Sequence, residues 1–322
     1  MYTHEDYKDT LTSEPVASTL KRLHKQAEEA DKPLQQEYSK LRKLYKEAKE
    51  KEANKSLEQE YSSIDVIADL LKEERKNYKE MYQNKFASHY LSVTPEFGDF
   101  LYMCARTANA KQIVEFGTSF GISSIYLAAA LRDNGGGELI STEIEESKAL
   151  QARKNIAAAG LSDLVDIRIG DALETLSTGF KGKIDLALLD GAFSLYLPVL
   201  KLLEPHFRMG TVLISENALV AEYLKHIRNP ANGYHSKKIL VGEGNDNEKG
   251  NELSIVTWNK MSLENRLDKT SASISDAQSV PAMVKSSSIF LAGQIYLTKN
   301  QALSRERIVR RPQHKQNGLA VI

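Results

Sequence analysis

Short apolar runs alternate with helix-like patterns from about residue 97 onward, and this alternation predicts the fold. Runs of five or six apolar residues are typical of buried strands, whereas apolar residues at every third or fourth position are typical of helices. The predicted strands are residues 112–116, 138–142, 165–169, 184–189 and 211–215. The helix patterns are residues 122–132, 147–159, a short one near residue 173, and 196–207. Such alternation is the signature of βαβ units in a parallel sheet.

Two further apolar runs, at residues 237–241 and 253–258, flank the segment GEGNDNEKG. Glycine and asparagine in a short connection are typical of a hairpin. We expect this hairpin to close the sheet with antiparallel strands. The predicted fold is therefore α/β, a doubly wound, mostly parallel seven-stranded sheet of the Rossmann-like type.

Residues 1–90 are predicted to form an N-terminal helical extension. From about residue 18 to 85 the chain is rich in Lys and Glu, lacks glycine, and carries Leu, Tyr and Ile at helical spacing, with an interruption at Pro33. We expect a solvated or dimerising arm in the first part and helices that could cap an active site nearer the core. Residues 260–322 are Ser-rich and partly basic, which predicts a flexible tail with one apolar island at residues 288–297.

Composition narrows the class of ligand. The 322 residues include 43 Lys and Arg against 43 Asp and Glu, so no net charge favours nucleic acid or an anionic membrane. Cys104 is the single cysteine, which excludes an intramolecular disulfide and predicts a reducing compartment. The N-terminal MYTHEDYKDT lacks a signal-peptide pattern, and no run approaches the roughly 18 apolar residues of a membrane span. We expect a cytoplasmic protein with a small-molecule ligand.

A glycine-containing turn follows the first predicted strand, in the stretch VEFGTSFGIS at residues 114–123. Glycines permit positive φ and close approach, and the next helix offers free N–H groups, so such turns hold ligands. Only Gly117 and Gly121 are present, so the G-x-G-x-x-G pattern of dinucleotide sites is incomplete. Glu115 would repel a pyrophosphate. The pattern favours a neutral or cationic ligand, and a plain strand-to-helix turn is the alternative.

Acidic residues follow the second and third predicted strands. Glu143 lies about 20 residues past the loop, where doubly wound folds place an acid that accepts hydrogen bonds from a ribose diol. Asp171 follows the third strand and could accept a hydrogen bond from an adenine amino group. As alternatives, Glu143 is a solvated strand end and Asp171 is the N-cap of the next helix. Together with the loop, the two acids suit a nucleoside without phosphates.

These segments resemble the class I S-adenosylmethionine-dependent methyltransferases, in particular the catechol and caffeoyl-CoA O-methyltransferase group and its bacterial relatives. The resemblance extends over roughly residues 91–258 and is carried by VEFGTSFGISSIYLAAAL, LISTEIEESKALQARKNIAAAGL, IRIGDALETL, IDLALLDGAFSLY and GTVLISENA. It implies that residues 91–259 form a methyltransferase domain with S-adenosyl-L-methionine as cofactor. The cofactor-binding residues that it implies are Glu115, Gly117, Thr118, Ser119, Gly121, Ser123, Glu143, Asp171 and Asp190.

Oxygen ligands follow the fourth and fifth predicted strands. Asp190 ends the fourth, and Glu216 and Asn217 end the fifth, so neighbouring strands would bring three oxygen donors to one edge of the sheet. Oxygen ligands suit a hard ion such as Mg²⁺, and the resemblance implies metal ligands at these places. A bound cation would lower the pKa of an acceptor hydroxyl, which makes Asp190 the predicted catalytic residue. The alternative for Asp190 is a turn, since Asp-Gly is a turn dipeptide.

The chain departs from the family pattern at two places. Glu216 stands where the family has Asp, which displaces the carboxylate by about one C–C bond length. Phe193 stands where the family often carries a lysine that helps to deprotonate the substrate hydroxyl. Tyr196 and Lys201 on the following helix are candidate replacements, although helix direction predicts that Lys201 points away from the site.

Three functions are weighed. The leading hypothesis is O-methylation of a phenol-like or catechol-like small molecule, with Phe193, and Phe97 or Tyr102, as walls of an apolar acceptor pocket. The alternative for each of these aromatic residues is a core residue. A second hypothesis is a cofactor-binding protein that has lost turnover and acts through association, because of the two departures and the long N-terminal helices. A nicotinamide oxidoreductase is disfavoured by the absent third glycine. The helical arm also makes a homodimer a reasonable expectation.

Overall fold

The computed structural model describes residues 9–53, 63–218, 220–241 and 250–257. Within these residues one sheet has the strand order β3-β2-β1-β4-β5-β7-β6, in which β7 runs antiparallel to both of its neighbours and the other pairs are parallel. The strands are β1 Gln112–Phe116, β2 Glu138–Glu143, β3 Val165–Ile169, β4 Ile184–Leu189, β5 Phe207–Ser215, β6 Tyr234–Ile239 and β7 Asn251–Val256. The predicted doubly wound sheet with a closing antiparallel pair is confirmed.

The central strands carry apolar residues on both faces because both faces of the sheet are covered. In β1, Ile113 belongs to one buried cluster and the next residue, Val114, to the other. Leu139 and Ile140 of β2 divide between the two clusters in the same way. Successive side chains of a strand point to opposite faces, so a strand with helices on both sides reads as a continuous apolar run.

Helices cover both faces and precede the sheet. They are α1 Val16–Ala53, α2 Ser63–Glu80, α3 Pro95–Thr107, α4 Ile122–Asp133, α5 Glu146–Ala158, α6 Ala172–Thr175, α7 Tyr196–Leu203 and α8 Ala221–Ile227, and a π-helical turn, Met81–Lys85, continues α2. The helix interruption expected at Pro33 is wrong, because Pro33 lies inside α1. A proline in a helix interior costs about 3 kcal/mol, and the burial of Ala27 and Leu34 on either side of it favours the continuous helix.

The first part of α1 packs into the core of the sheet domain. Val16, Leu20, Leu23 and Ala27 are buried in the cluster that also contains side chains of α3 and α4. Burial of a Val or Leu side chain contributes roughly 1.5–3 kcal/mol. This part of the N-terminal region is therefore integral to the packing of the domain.

Several sequence predictions concern residues outside the described ranges. The tail at 260–322 and its apolar island at 288–297 are among them. Among the residues described, no helix combines the length and the apolar character needed to cross a membrane.

Candidate active site

The carboxyl ends of the parallel strands bring the predicted site residues to one edge of the sheet. The Asp190 amide donates to Phe116 O at 2.9 Å, which places the end of β4 beside the end of β1. The Gly170 amide donates to Glu143 O at 2.8 Å, so the end of β3 adjoins the end of β2. In parallel doubly wound sheets this edge is where ligands bind.

The glycine loop lies directly against the end of β4. Gly117 has φ +105°, and a Cβ there would lie 2.2 Å from Asp190 O, so only glycine fits. Gly121 has φ +86° and is the N-cap residue of α4. The amides of Gly117 and Thr118 both donate to Thr142 O, at 3.2 and 3.1 Å. Because the protein itself uses these amides, the loop does not present the row of free N–H groups that a phosphate cradle requires.

Glu115 lies beneath the loop and does not line the cleft above it. Its side chain is fully buried, and its Oε2 accepts hydrogen bonds from the hydroxyls of Ser124 and Ser141, whereas its Oε1 has no hydrogen-bond partner. Burial raises the pKa of Glu115 because a carboxylate is poorly solvated there. Glu115 therefore supports the loop from behind as a hydrogen-bond acceptor for the hydroxyls of Ser124 and Ser141.

A cleft of about 760 Å³, counted together with the solvent it opens to, lies above the strand ends. Of the predicted cofactor residues, those that line it are Gly117, Thr118, Ser119, Ser123, Glu143 and Asp190. Glu115, Gly121 and Asp171 are not among the lining residues. Lining residues that the sequence reasoning missed include Tyr78, Tyr82, Tyr90, Leu91 and Lys148. Tyr78 and Tyr82 are four residues apart, a spacing that puts both on one face of a helix and was a usable signal.

Glu143 is held in place by the glycine loop. Its Oε2 accepts a hydrogen bond from the Ser119 amide at 2.7 Å, and its Oε1 accepts one from the Glu145 amide at 2.9 Å. The side chain is buried, so burial raises its pKa, while the hydrogen bonds and the positive charge of Lys148 act in the opposite direction. Each oxygen keeps lone-pair capacity for a further donor, as a ribose acid requires.

Asp171 is engaged by protein groups. Its Oδ1 accepts from the Leu173 amide at 3.0 Å, so it is the N-cap of α6, as the alternative interpretation had it. Its Oδ2 accepts from Tyr78 Oη at 2.6 Å and from Lys79 Nζ at 2.9 Å. Burial acts to raise the pKa of Asp171, but the hydrogen bonds from Tyr78 and Lys79 outweigh it and hold the pKa below its ordinary value.

The end of α2 and the turn that follows it lie across the strand ends. Their partners follow four different strands. After β2, Ile144 O accepts a hydrogen bond from Gln83, and after β3, Asp171 binds Tyr78 and Lys79. After β4, the amides of Phe193 and Ser194 donate to Glu74. After β5, Glu222 forms an ion pair with Arg75. We call residues 74–83 the roof segment. The expectation that the inner helices cap the site agrees with these contacts.

Phe193 is bound through its backbone to the roof segment. Buried Glu74 accepts from the Phe193 amide at 3.2 Å, from the Ser194 amide at 2.6 Å and from Tyr82 Oη at 3.0 Å. The Phe193 ring packs on Tyr196 with 5.6 Å between centroids. Lys201, one candidate for the role of the family lysine, binds Glu204 at 3.0 Å instead, on a part of the surface away from the cleft residues.

Asp190, Glu216 and Asn217 form the candidate metal site. Asp190 lies half-buried at the floor of the cleft, and loss of solvent around its carboxyl group, with repulsion from Glu216 and Glu115, raises its pKa well above the ordinary value. The Asn217 side-chain Nδ2 donates to Glu216 Oε2, and the buried Asn217 Oδ1 has no hydrogen-bond partner. In the described part of the chain, no three side chains among His, Cys, Asp and Glu gather as metal ligands. An ion here would rest on two carboxylates and the Asn217 oxygen.

None of the three aromatic residues expected to wall an acceptor pocket, Phe193, Phe97 and Tyr102, is among the residues that line this cleft. Phe97 is buried in the core beneath α3, with 3% of its surface exposed. Tyr102 donates to Asp133 Oδ2 at 2.7 Å, and neither residue lines the cleft. That expectation is therefore wrong for Phe97 and Tyr102, because α3 turns these side chains toward the core and toward α4.

Comparison with known proteins finds similarity to methyltransferases. Residues 114–218 match the family model of a methyltransferase domain. A catechol O-methyltransferase of Niastella koreensis is 35% identical over 132 residues, which cover 40% of this chain and 59% of that protein. A catechol O-methyltransferase of Mycobacterium tuberculosis is 30% identical over 129 residues, 40% of this chain and 58% of that protein. The chain thus spans less than two thirds of these curated relatives.

Among solved structures, the O-methyltransferase TomG of Streptomyces achromogenes, in complex with SAM, is 24% identical with a TM-score of 0.49, covering 63% of this chain and 100% of that one. The residues that match the family model include the glycine loop, Glu143, Asp171, Asp190 and Glu216. The match of residues 114–218 to a methyltransferase domain agrees with the family that the resemblance implied.

Proposed function

We propose that this protein is an S-adenosylmethionine-dependent methyltransferase that methylates a hydroxyl group of a small phenol-like or catechol-like molecule. The observation that carries the proposal is the cleft at the strand ends, where Glu143 is fixed by the loop amide of Ser119 and Asp190 forms the floor. The names of the curated relatives support O-methylation.

The residues present fit the cofactor by their chemistry. Glu143 would bind the ribose hydroxyls, and Ser123 with the loop 117–121 would hold the methionine part. The carboxyl oxygens of Glu143 and Asp190 line the cleft and can accept hydrogen bonds from the ammonium and hydroxyl groups of such a ligand. The bound cofactor would supply an electrophilic methyl group. The cleft residues would align the acceptor with the methyl group and exclude water. Alignment of the two reactants is the main contribution that a protein makes to such a transfer.

Asp171 would act on the adenine end indirectly. Its carboxylate binds Tyr78 and Lys79 of the roof segment, and Tyr78 lines the cleft. We infer that Asp171 positions Tyr78 over the nucleoside part of the cleft, in addition to capping α6.

A hard divalent cation such as Mg²⁺ fits the donors near Asp190. The carboxylates of Asp190 and Glu216 repel each other, and the Asn217 Oδ1 is a buried acceptor with no hydrogen-bond partner. A cation would offset the repulsion between the two carboxylates and would give the Asn217 Oδ1 a partner. Asp190, which also lines the cleft, would then orient the acceptor hydroxyl and is the proposed catalytic residue.

A methyltransferase-fold protein that binds the cofactor without turnover is the second candidate. Phe193 at the place of the family lysine and Glu216 at the place of an aspartate are the observations that favour it. The names of the curated relatives do not favour it. Cytoplasmic location, homodimer formation and the division into segments 1–90, 91–259 and 260–322 stay predictions from the sequence.

One set of measurements separates these functions. The purified protein is titrated with S-adenosylmethionine and with NAD by calorimetry, with and without Mg²⁺, and then incubated with labelled cofactor and a panel of catechols and phenols. We expect S-adenosylmethionine binding and label transfer to at least one acceptor. Binding without transfer across a broad panel would favour the association role, and binding of NAD alone would overturn both methyl-donor proposals.

A further inference from the structure

Asp31 of α1 binds a segment of chain that forms one rim of the cleft. The buried Asp31 carboxylate accepts hydrogen bonds from the Tyr90 amide at 2.9 Å and from the Leu91 amide at 2.8 Å. His89 Nδ1 lies 3.2 Å from Asp31 Oδ1. One side chain of the N-terminal helix therefore holds three consecutive residues that precede the sheet domain.

The rim segment, residues 90–93, lines the cleft and contains a strained residue. Tyr90, Leu91, Ser92 and Val93 all contribute to the cleft wall. Leu91 has φ +47°, in the left-handed region that a bulky side chain rarely adopts. Such a conformation persists where surrounding contacts over-determine it, and it is common at ligand sites. The Asp31 hydrogen bond to the Leu91 amide is a contact that holds this backbone in place.

The opposite side of the rim segment is joined to the glycine loop. Ser119 Oγ donates to Tyr90 O at 2.5 Å. The Tyr90 ring stacks on Phe120, with 4.1 Å between centroids and 22° between planes. Ser119 also holds Glu143 through its amide. Asp31, the rim segment, the loop and Glu143 thus form one connected network on one side of the cleft.

We propose that Asp31 is a positioning residue for the cofactor, so that the N-terminal helix α1 is part of the cofactor site. This inference rests on the proposed function, because it takes S-adenosylmethionine as the ligand of the cleft. Asp31 does not itself line the cleft and acts on it through the rim segment. Its removal therefore loosens the rim and the loop, and affects cofactor binding more than turnover.

The first test compares the full-length wild type with Asp31→Ala, Asp31→Asn and the control Glu28→Ala. Glu28 is an exposed carboxylate on the same helix. We expect Asp31→Ala to raise the Kd for S-adenosylmethionine and its KM about tenfold, as loss of charge-assisted hydrogen bonds implies, with kcat at saturating cofactor little changed. Asp31→Asn keeps one acceptor oxygen and is expected to be intermediate. Glu28→Ala should bind as the wild type does.

A double-mutant cycle with Leu91→Gly distinguishes positioning from general stabilisation. Glycine adopts positive φ without steric cost, so the rim should depend less on Asp31 in that background, and Asp31→Ala should then weaken binding by only about threefold. Equal Kd values for Asp31→Ala and the wild type, or a full tenfold effect in both backgrounds, would overturn the proposal. A wild type that binds no S-adenosylmethionine would instead refute the proposed function.

Discussion

The Ser119 amide donates a hydrogen bond to Glu143 Oε2 at 2.7 Å, and this contact ties the glycine loop to the end of the next strand. Ser119 has φ +46°, a left-handed conformation that turns its amide toward β2. The loop therefore orients the proposed ribose acid before any ligand arrives. Preorganisation of this kind lowers the entropy lost on binding.

Glu143→Ala should weaken S-adenosylmethionine binding by about 2 kcal/mol, a roughly thirtyfold rise in Kd, because two hydrogen bonds to a charged acceptor are lost. Calorimetric titration measures the change. Glu146→Ala, an exposed carboxylate three residues further on, is the matched control and should bind normally. An unchanged Kd for Glu143→Ala would remove Glu143 from the ribose role.

Glu74→Ala should lower the free energy of unfolding by about 2–3 kcal/mol, because the Phe193 and Ser194 amides lose their buried acceptor. It should also lower kcat, since the roof segment would no longer hold the turn after β4. Urea unfolding and a methyl-transfer assay measure the two effects. Glu73→Ala, on the exposed face of α2, should change stability by less than about 0.5 kcal/mol. Equal effects of the two substitutions would contradict this role of Glu74.

The Asp171 contacts predict a dependence of stability on pH. Because the folded-state pKa lies below the ordinary value, Asp171 stabilises the fold above the unfolded-state pKa of about 4 and loses this effect as pH falls through the folded-state pKa. Asp171→Asn keeps an N-cap residue but loses the charge. We expect it to be less stable than the wild type at pH 7, with a difference that shrinks as the wild-type carboxylate protonates below about pH 4.

Urea denaturation at pH 7 and at pH 3 tests that dependence. Asp171→Ala at pH 7 should cost about 1 kcal/mol more than Asp171→Asn, because alanine cannot cap α6. A difference between wild type and Asp171→Asn that stayed constant across this pH range would show that the charge of Asp171 does not stabilise the fold.

Asp190→Asn should abolish any activity that Mg²⁺ stimulates and EDTA removes, because the proposed ion loses a carboxylate ligand. Glu216→Asp, which restores the family residue, should preserve the Mg²⁺ response. Activity at a fixed cofactor concentration is measured across a Mg²⁺ titration for the wild type and both variants. An Mg²⁺ response that Asp190→Asn retained would remove Asp190 from the metal site.

The strands were the most predictable elements. Strand β1 agrees with its prediction to the residue, since the run is apolar on both faces and a glycine ends it. Strand β5 begins at Phe207, four residues before the predicted start, because Phe207 pairs with Ile184 across an irregular register. The intervening Arg208, Met209 and Gly210 give no strand pattern, so only the pairing with β4 reveals this part of the strand.

The floor of the candidate site was also predictable, but its walls were not. Gly117, Ser119, Glu143 and Asp190 follow strands directly, and parallel strands bring such positions together whatever the rest of the chain does. Tyr78 reaches Asp171 across 93 positions of sequence. Its spacing from Tyr82 marks a helix face without saying which surface that face covers.

By itself, the sequence determined which segments are strands and helices, because apolar periodicity reports how each residue meets the core. It also determined that acids and glycines follow the strands that build the cleft. Only the tertiary structure decided that β7 inserts between β5 and β6 and that α1 and the roof segment close on the cleft. The strand order and the positions of these helices depend on packing and hydrogen bonds between residues that are distant in sequence. Local periodicity carries no information about which distant segment an element packs against.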